Sequence, residues 1–249
     1  MVLELPFLGS ATPFPPVSTA LDYPNGLLAY GGDLSVSRLL SAYAQGIFPW
    51  YSENEPILWW SPDPRAIIEL DGFKASRSLR KLARQRRYRV TLNHAFTDVI
   101  QSCASIPRAM PDGEGVSHDT WITRDMQQAY IRLHDEGYAH SVEVWDQQTL
   151  VGGLYGVGIG RIFCGESMFH RQSNASKLAL MALVEHMQRH DMAFIDCQMP
   201  TEHLASLGAK TIAKNDFLLR LDGNTATHSR NGDKLPAYAD CWSAGDITP

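Results

Sequence analysis

The sequence predicts an α+β protein built on a mixed sheet, and three patterns carry that expectation. From His140 to Phe169 the chain reads as three strands joined by tight turns: HSVEVW, LVGGLYGVG and IFCGESMF. A helix-period segment and a further strand, AFIDCQ from Ala193, come next. Antiparallel hairpins followed by a helix and another strand close into a mixed sheet with helices packed on it. The first third has a different texture. It is rich in proline, glycine and turn dipeptides, and we read residues 1–62 as a separate small α/β domain.

Taken in order, Pro13, Pro15 and Pro16 open the chain, and PNGLLAYGGDLS from Pro24 carries two strong turn signals. Ser35 is placed to N-cap a short helix through Leu39, Leu40 and Tyr43 that stops at Gly46. SPDPRAII from Ser61 is a connection into a new strand, and a second domain is set at residues 63–235. KASRSLRKLARQRRYR, from Lys74 to Arg89, has helical spacing, with Leu79, Leu82 and Ala83 on an apolar stripe and Arg77, Lys81 and Arg84 on another face. IPRAMPDGEGVSHD from Ile106 is expected as a surface loop. A helix follows Thr123 through Met126, Ala129, Tyr130 and Leu133 to Gly137. Beyond the three strands, Asn174 is expected to cap a helix with Leu178, Met181, Ala182, Leu183 and Val184 on its apolar positions and Met187 behind. A short helix ends at Leu207–Gly208, the chain beyond Gly223 is read as loop, and residues 236–249 as a C-terminal tail. The strand–helix–strand order is similar to the acetyltransferase-like fold known as GNAT.

The bulk numbers narrow the function. Hydrophobic residues at 44% and charged residues at 20% support a full globular core. No apolar run reaches the ~18 residues a membrane span needs, and no signal peptide is read, so a cytoplasmic protein is expected. Cys103, Cys164, Cys197 and Cys241 include no Cys-x-x-Cys pair, which indicates neither a zinc motif nor a disulfide framework. Net charge is −5, yet eight of the 22 basic residues crowd into Lys74–Arg89 with no acid among them. That leaves 14 basic against 27 acidic residues elsewhere: an acidic body bearing one segment that attracts phosphates.

Several residues carry competing readings. Alternation along AFIDCQ puts Ile195 and Cys197 on one face and Asp196 and Gln198 on the other. The second pair is either a satisfied core hydrogen-bond pair or a polarised pair lining a cleft. Cys197 reads as a buried thiol rather than a nucleophile. Glu166, among apolar neighbours, either pairs with a structural Arg or Lys or binds a cationic substrate. His186 and His190 are at metal-pair spacing, but without an HExxH arrangement a solvated helix face is the better reading. Trp50, Trp59, Trp60 and Trp121 make the front half aromatic; they are either core packing or, beside a basic helix, the stacking residues that gripping a tRNA acceptor end requires. HRQSNASK, where an acyl-CoA enzyme of this fold would cradle pyrophosphate, holds no glycine, which lowers an acyl-CoA N-acetyltransferase reading. A non-catalytic tRNA-binding protein is a third alternative.

These motifs together resemble the leucyl/phenylalanyl-tRNA–protein transferase family from about Pro24 to Leu221. They include PNGLLAYGGDLS, RLLSAYAQGIFPWY, PILWWSPDPRAII, SRSLRK, TWIT, AYIRLHDEGYAHSVEVW, LVGGLYG, FCGESMF, NASK, IDCQ and HLASLGA. The resemblance implies a small N-terminal domain on a GNAT-like domain that uses no acetyl-CoA; no cofactor is expected, and the spacing of Cys and His points to no metal. The donors would be Leu-, Phe- or, less well, Met-tRNA. The acceptors would be proteins with N-terminal Arg or Lys, marked for N-end rule degradation by a monomeric enzyme. It places Tyr43, Trp50, Trp121 and Tyr130 around the terminal adenosine. It matches Asp196 and Gln198 to the catalytic pair and Glu166 to an acidic residue beside the reacting groups. Two roles stay open for Asp196: it polarises Gln198, or it organises the site while the proton passes by way of the tRNA ribose hydroxyl. A cationic acceptor calls for an acidic subsite, for which Glu166 is the candidate. The aminoacyl pocket maps onto Leu154, Phe163, Met168, Leu180, Leu183, Met187 and Ile195. Leu183 and Met187 stand where the family has aromatic residues, implying a shifted Leu-to-Phe preference. Arg77, Arg80, Lys81 and Arg84 would hold the tRNA body.

Overall fold

The computed structural model describes residues 5–106, 108–109, 116–117, 120–225 and 241–249. β1 (Phe7–Leu8), β2 (Leu27–Gly31), β3 (Phe48–Pro49) and β4 (Leu58–Trp60) form a four-stranded sheet in the order β1-β2-β4-β3. Helix α1 (Val36–Tyr43) runs between β2 and β3, capped by Ser35 Oγ accepting the Arg38 N–H, and Gly46 takes φ 73° just beyond it. This is the start and stop the sequence anticipates.

The larger sheet begins at β5 (Arg65–Glu69), reached through the Pro-rich connection, and continues after helix α2 (Arg77–Arg84) with β6 (Arg89–Leu92). Helix α3 (Phe96–Ser105) follows, then β7 (Arg108–Ala109) and β8 (Val116–Ser117), which pair with each other. The rest of the segment expected as a surface loop lies outside the described residues. Helix α4 (Arg124–Asp135) starts after Thr123, as expected, and Thr123 Oγ1 caps it by accepting the Met126 N–H. The three predicted strands are β9 (Ala139–Asp146), β10 (Thr149–Ile159) and β11 (Ile162–His170). Helix α5 (Ala175–Arg189), β12 (Phe194–Gln198), α6 (Glu202–Ser206), β13 (Lys210–Ile212), α7 (Lys214–Thr225) and β14 (Gly245–Asp246) complete the chain. The order β13-β5-β12-β11-β10-β9-β6-β14 is mixed, with β11 and β12 parallel and the other neighbours antiparallel.

Alternation along the strands sends consecutive side chains to opposite cores. Ile68, Leu154, Phe163 and Ile195 face α5 and α2, whose Leu178, Leu183, Leu79 and Ala83 cover them. Ile67, Tyr155, Cys164 and Phe194 face the other way, into a core shared with α1, α3, α4, α7 and the small sheet. Among the described residues no helix is long and apolar enough to cross a membrane.

Two expectations need correction. Asn174 occupies the N-cap place of α5, but at φ 66° its side chain makes no cap bond. The chain past Gly223 is not all loop: α7 runs to Thr225, β14 pairs with β6, and Cys241, Trp242 and Ile247 are buried. Three buried apolar side chains in an otherwise polar stretch are too few to raise a periodic signal. β6 and α3 went unread because each is short and begins within a polar or basic run.

Close approach fixes one glycine. A Cβ on Gly152 would stand 2.5 Å from the Ala175 Cβ at the start of α5. Gly152→Ala is therefore expected to lower stability by about 1–3 kcal/mol, the usual cost of overpacking, read as a lower urea midpoint at unchanged slope.

Candidate active site

The site is built on an irregularity in β12. Pairing with β5 slips one register between Asp196 and Gln198, and Gln198 takes φ 56°. Simple alternation puts Asp196 and Gln198 on one face. The bulge at Cys197 instead turns Gln198 to the side of Ile195 and Cys197, while Asp196 stays in the interior. Asp196 is fully buried and meets Arg65 in a fork: Arg65 Nε donates to Oδ1 at 2.9 Å and Nη2 to Oδ2 at 2.8 Å. Asp196 Oδ1 also accepts the Gln198 main-chain N–H at 3.0 Å. Asp196 thus touches Gln198 through the backbone and not through its amide, the contact that an organising role needs rather than side-chain polarisation.

Arg65 donates further to the Gly46 carbonyl at 3.1 Å and lies over the Phe48 and Phe217 rings, 5.0 and 4.6 Å from their centroids. The sequence demanded a partner for a buried Asp196. The arginine opening the apolar strand RAII was the available signal.

On the α5 side of the sheet lies a cavity of about 330 Å³. Leu154, Phe163, Met168, Leu180, Leu183 and Ile195 line it, as do Glu166, Gln198 and Trp121. Met187 does not: it is wholly buried in the core behind. The lining also includes Cys197, expected as a buried thiol, and Ile68, Tyr155, Thr201, His203 and Leu204, for which the sequence carries no local signal. Burial pushes the Cys197 thiol well above its usual range, and the Asp196 charge adds to this, so no thiolate nucleophile is at hand.

Glu166, on β11, gathers the polar groups. Tyr43 Oη donates to Oε1 at 2.7 Å, Tyr130 Oη to Oε2 at 3.1 Å, and Gln198 Nε2 to Oε1 at 3.0 Å. The two tyrosine hydroxyls also contact each other. Glu166 therefore pairs with hydroxyls and an amide, not with Arg or Lys. Burial raises its carboxyl to about 7, although the tyrosine hydrogen bonds pull it down. Tyr43 and Tyr130 are buried beneath Glu166 and are not part of the cavity lining. Burial and then the Glu166 charge hold their phenols protonated, hence donors. A carboxylate oxygen only accepts, so Gln198 turns its NH2 toward Glu166 and its carbonyl oxygen away.

Trp121 lines a second hollow of about 750 Å³ together with Trp50, Tyr51, Trp60, Glu53 and Glu55. Trp50 packs edge-on to Trp60 at 5.5 Å and is itself 38% exposed, leaving ring surface open for stacking. Apolar cavity and aromatic groove thus share a wall. Arg77, Arg80, Lys81 and Arg84 are exposed on α2 and form no ion pair among the described residues. Leu79 and Ala83 seat α2 in the same core that backs the cavity, so the basic helix and the cavity lie on one side of the sheet. The helix-face histidines differ from expectation: His186 is buried, with Nε2 2.6 Å from the Cys241 carbonyl.

Residues 67–222 match the family model described as leucyl/phenylalanyl-tRNA protein transferase, and residues 32–63 match that of its N-terminal domain. A protein of Pseudoalteromonas atlantica named leucyl/phenylalanyl-tRNA–protein transferase is 56% identical over 99% of both chains. One of the same name from Tolumonas auensis is 52% identical over 100% of both. A solved structure of L-PGS from Bacillus licheniformis overlays with a TM-score of 0.39 at 10% identity, covering 88% of this chain and 65% of that one.

Proposed function

The chain belongs to the leucyl/phenylalanyl-tRNA–protein transferase family, and we propose that it moves Leu or Phe, and Met less well, from aminoacyl-tRNA onto the α-amine of proteins beginning with Arg or Lys, marking them for N-end rule degradation. In this reading the molecule is a cytoplasmic monomer in which a small N-terminal domain, residues 1–62, serves a GNAT-like domain, residues 63–235. The observation that carries it is the apolar cavity with Glu166 and Gln198 on its wall, opening beside an aromatic groove through Trp121.

The aminoacyl side chain fills the cavity. One methylene is worth only about 1–3 kcal/mol there, so large apolar residues are accepted together and charged ones are excluded by desolvation. The terminal adenosine stacks between Trp50 and Trp121 in the groove. The ester is already activated, so much of the acceleration comes from alignment. The amine nitrogen attacks the ester carbonyl, the new peptide C–N bond forms, and the C–O bond to the ribose breaks. The proton leaves with the ribose oxygen. Gln198 Oε1 accepts a hydrogen bond from the attacking amine, while its Nε2 is anchored on Glu166 at 3.0 Å. Glu166 adds negative charge beside an acceptor whose first side chain is cationic. Asp196, sealed against Arg65, sets the backbone that presents Gln198.

Labelled Leu-tRNA with an Arg-initiated peptide is expected to yield labelled peptide only when the enzyme is present. Saturable acetyl-CoA binding without such transfer would favour an N-acetyltransferase instead.

The exposed cations of α2 supply the grip on the tRNA body. Replacing Arg80, Lys81 and Arg84 by glutamine is expected to raise KM for tRNA with kcat held. The salt slope of log KM should fall by roughly 0.7–0.9 per phosphate contact removed. An unchanged slope would return α2 to the role of a solvated surface helix.

A further inference from the structure

The last turn of α5 faces the buried C-terminal segment across a cluster of nitrogen and sulfur donors. His186 and His190, one helical turn apart, point the same way, with ring centroids 4.6 Å from each other. Asp191 takes φ 52° and folds the chain back, so that Met192 N–H returns to the Met187 carbonyl at 3.0 Å. Cys241 closes the cluster from the other strand of chain. Its Sγ lies 3.7 Å from His186 Nε2 and 3.4 Å from Met192 Sδ. One donor atom each from His186, His190 and Cys241 falls within 4.8 Å of the others. Cys241 is held in place by its neighbour, whose carbonyl accepts from Asn93 Nδ2 at 2.7 Å, and by the pairing of β14 with β6.

We propose that His186, His190 and Cys241, with Met192 as a weaker fourth ligand, bind one soft transition-metal ion, Zn(II) or Cu(I). Two imidazoles, a thiolate and a thioether suit such ions and leave Mg(II) and Ca(II) without carboxylate oxygens. Bond lengths of ~2.0–2.1 Å to nitrogen and ~2.3 Å to sulfur put tetrahedral ligand atoms about 3.3–3.8 Å apart. The His186–Cys241 spacing already fits, and His190, which is partly exposed, closes in by a rotamer change. On binding, the His186 ring gives up its contact with the Cys241 carbonyl, its proton moves to Nδ1, and the Cys241 thiol releases one proton to solvent. The ion pins the C-terminal segment to α5, far in function from the transfer site. The sequence concealed it because Cys241 stands 51 residues beyond His190 and no Cys-x-x-Cys spacing announces it.

The test uses the full chain, stripped of metal under reducing conditions, titrated with Zn(II) and separately with Cu(I), with Co(II) as an optical probe of thiolate ligation. One equivalent per chain, a thiolate-to-Co(II) charge-transfer band and a higher Tm with the ion are expected. Binding of either ion supports the site, and the tighter of the two identifies the occupant. Cys241→Ser should abolish the band. His190→Ala, at a partly exposed position with little risk to the fold, should weaken binding by at least the ~10–100-fold that loss of a ligand's supporting partner costs. Failure of the native chain to retain either ion through gel filtration overturns the proposal. So does equal binding by the native chain and His190→Ala.

Discussion

Replacing Arg65 by methionine is expected to lower stability by about 3–5 kcal/mol, because it leaves the Asp196 carboxylate buried without its partner. Asp196 has no exposed surface and spends both oxygens on Arg65 and the Gln198 N–H. Lysine is no substitute. Only a guanidinium reaches both oxygens and the Gly46 carbonyl while staying over the Phe48 and Phe217 rings. Stability and rate separate in the double variant Arg65→Met with Asp196→Leu. Apolar replacement of both partners should recover most of the stability. The β12 bulge, however, has then lost the acceptor that fixes Gln198, and an ångström of displacement is worth about 10²-fold in rate. Urea unfolding and single-turnover transfer measured on the same preparations separate the two effects. Asp196→Asn keeps an acceptor for the Gln198 N–H and should transfer faster than Gln198→Ala. If Asp196→Asn were instead as slow as Gln198→Ala at native stability, Asp196 would be the base and the positioning role would fail.

Much of this arrangement is legible in the sequence, and the remainder fails for identifiable reasons. The strand–turn–strand run from His140, the cap at Ser35, the helix after Thr123 and the basic helix follow from local periodicity and turn chemistry, which short windows record. The apolar lining of the cavity came through the family resemblance, and six of its seven expected residues meet there. Met187 is the exception: it lies one turn beyond Leu183 on α5, deeper than the cavity reaches. What was not legible is long-range. Arg65 and Asp196 are 131 residues apart, and the Tyr43–Glu166 contact spans 123. Alternation failed at Gln198 because a bulge inserts one residue, and nothing in AFIDCQ marks where the strand will slip. The docking of Cys241 and Trp242 depends likewise on a surface that exists only once the sheet has formed.

Transfer is expected to rise with pH through two steps, the lower of which belongs to Glu166. Its carboxyl titrates at about 7 against an ordinary 4.5, since burial disfavours the charge more than the donors Tyr43 and Tyr130 restore it. All three contacts to Glu166 are donors once it is ionised, so the anion is the form that holds Gln198 in place. The upper step is the acceptor amine, with an ordinary pKa of about 7.7–8.0. Glu166→Gln should remove the lower step and slow transfer by about 10²–10³, the usual loss when a preorganised polar group leaves an active site. Tyr43→Phe removes a donor that pulls the carboxyl down, and so should move the lower step to higher pH without abolishing it. Stability gives an independent check with a fixed sign. A carboxyl raised in the fold binds its proton more tightly there than in the unfolded chain. The contribution of Glu166 to stability is therefore fully present below pH 4.5 and is lost as pH rises through about 7. Glu166→Gln should flatten that interval in a plot of unfolding free energy against pH. A lower kinetic step that survives in Glu166→Gln, beside an unaltered stability curve, would assign the titration to another group and leave Glu166 a silent wall of the cavity.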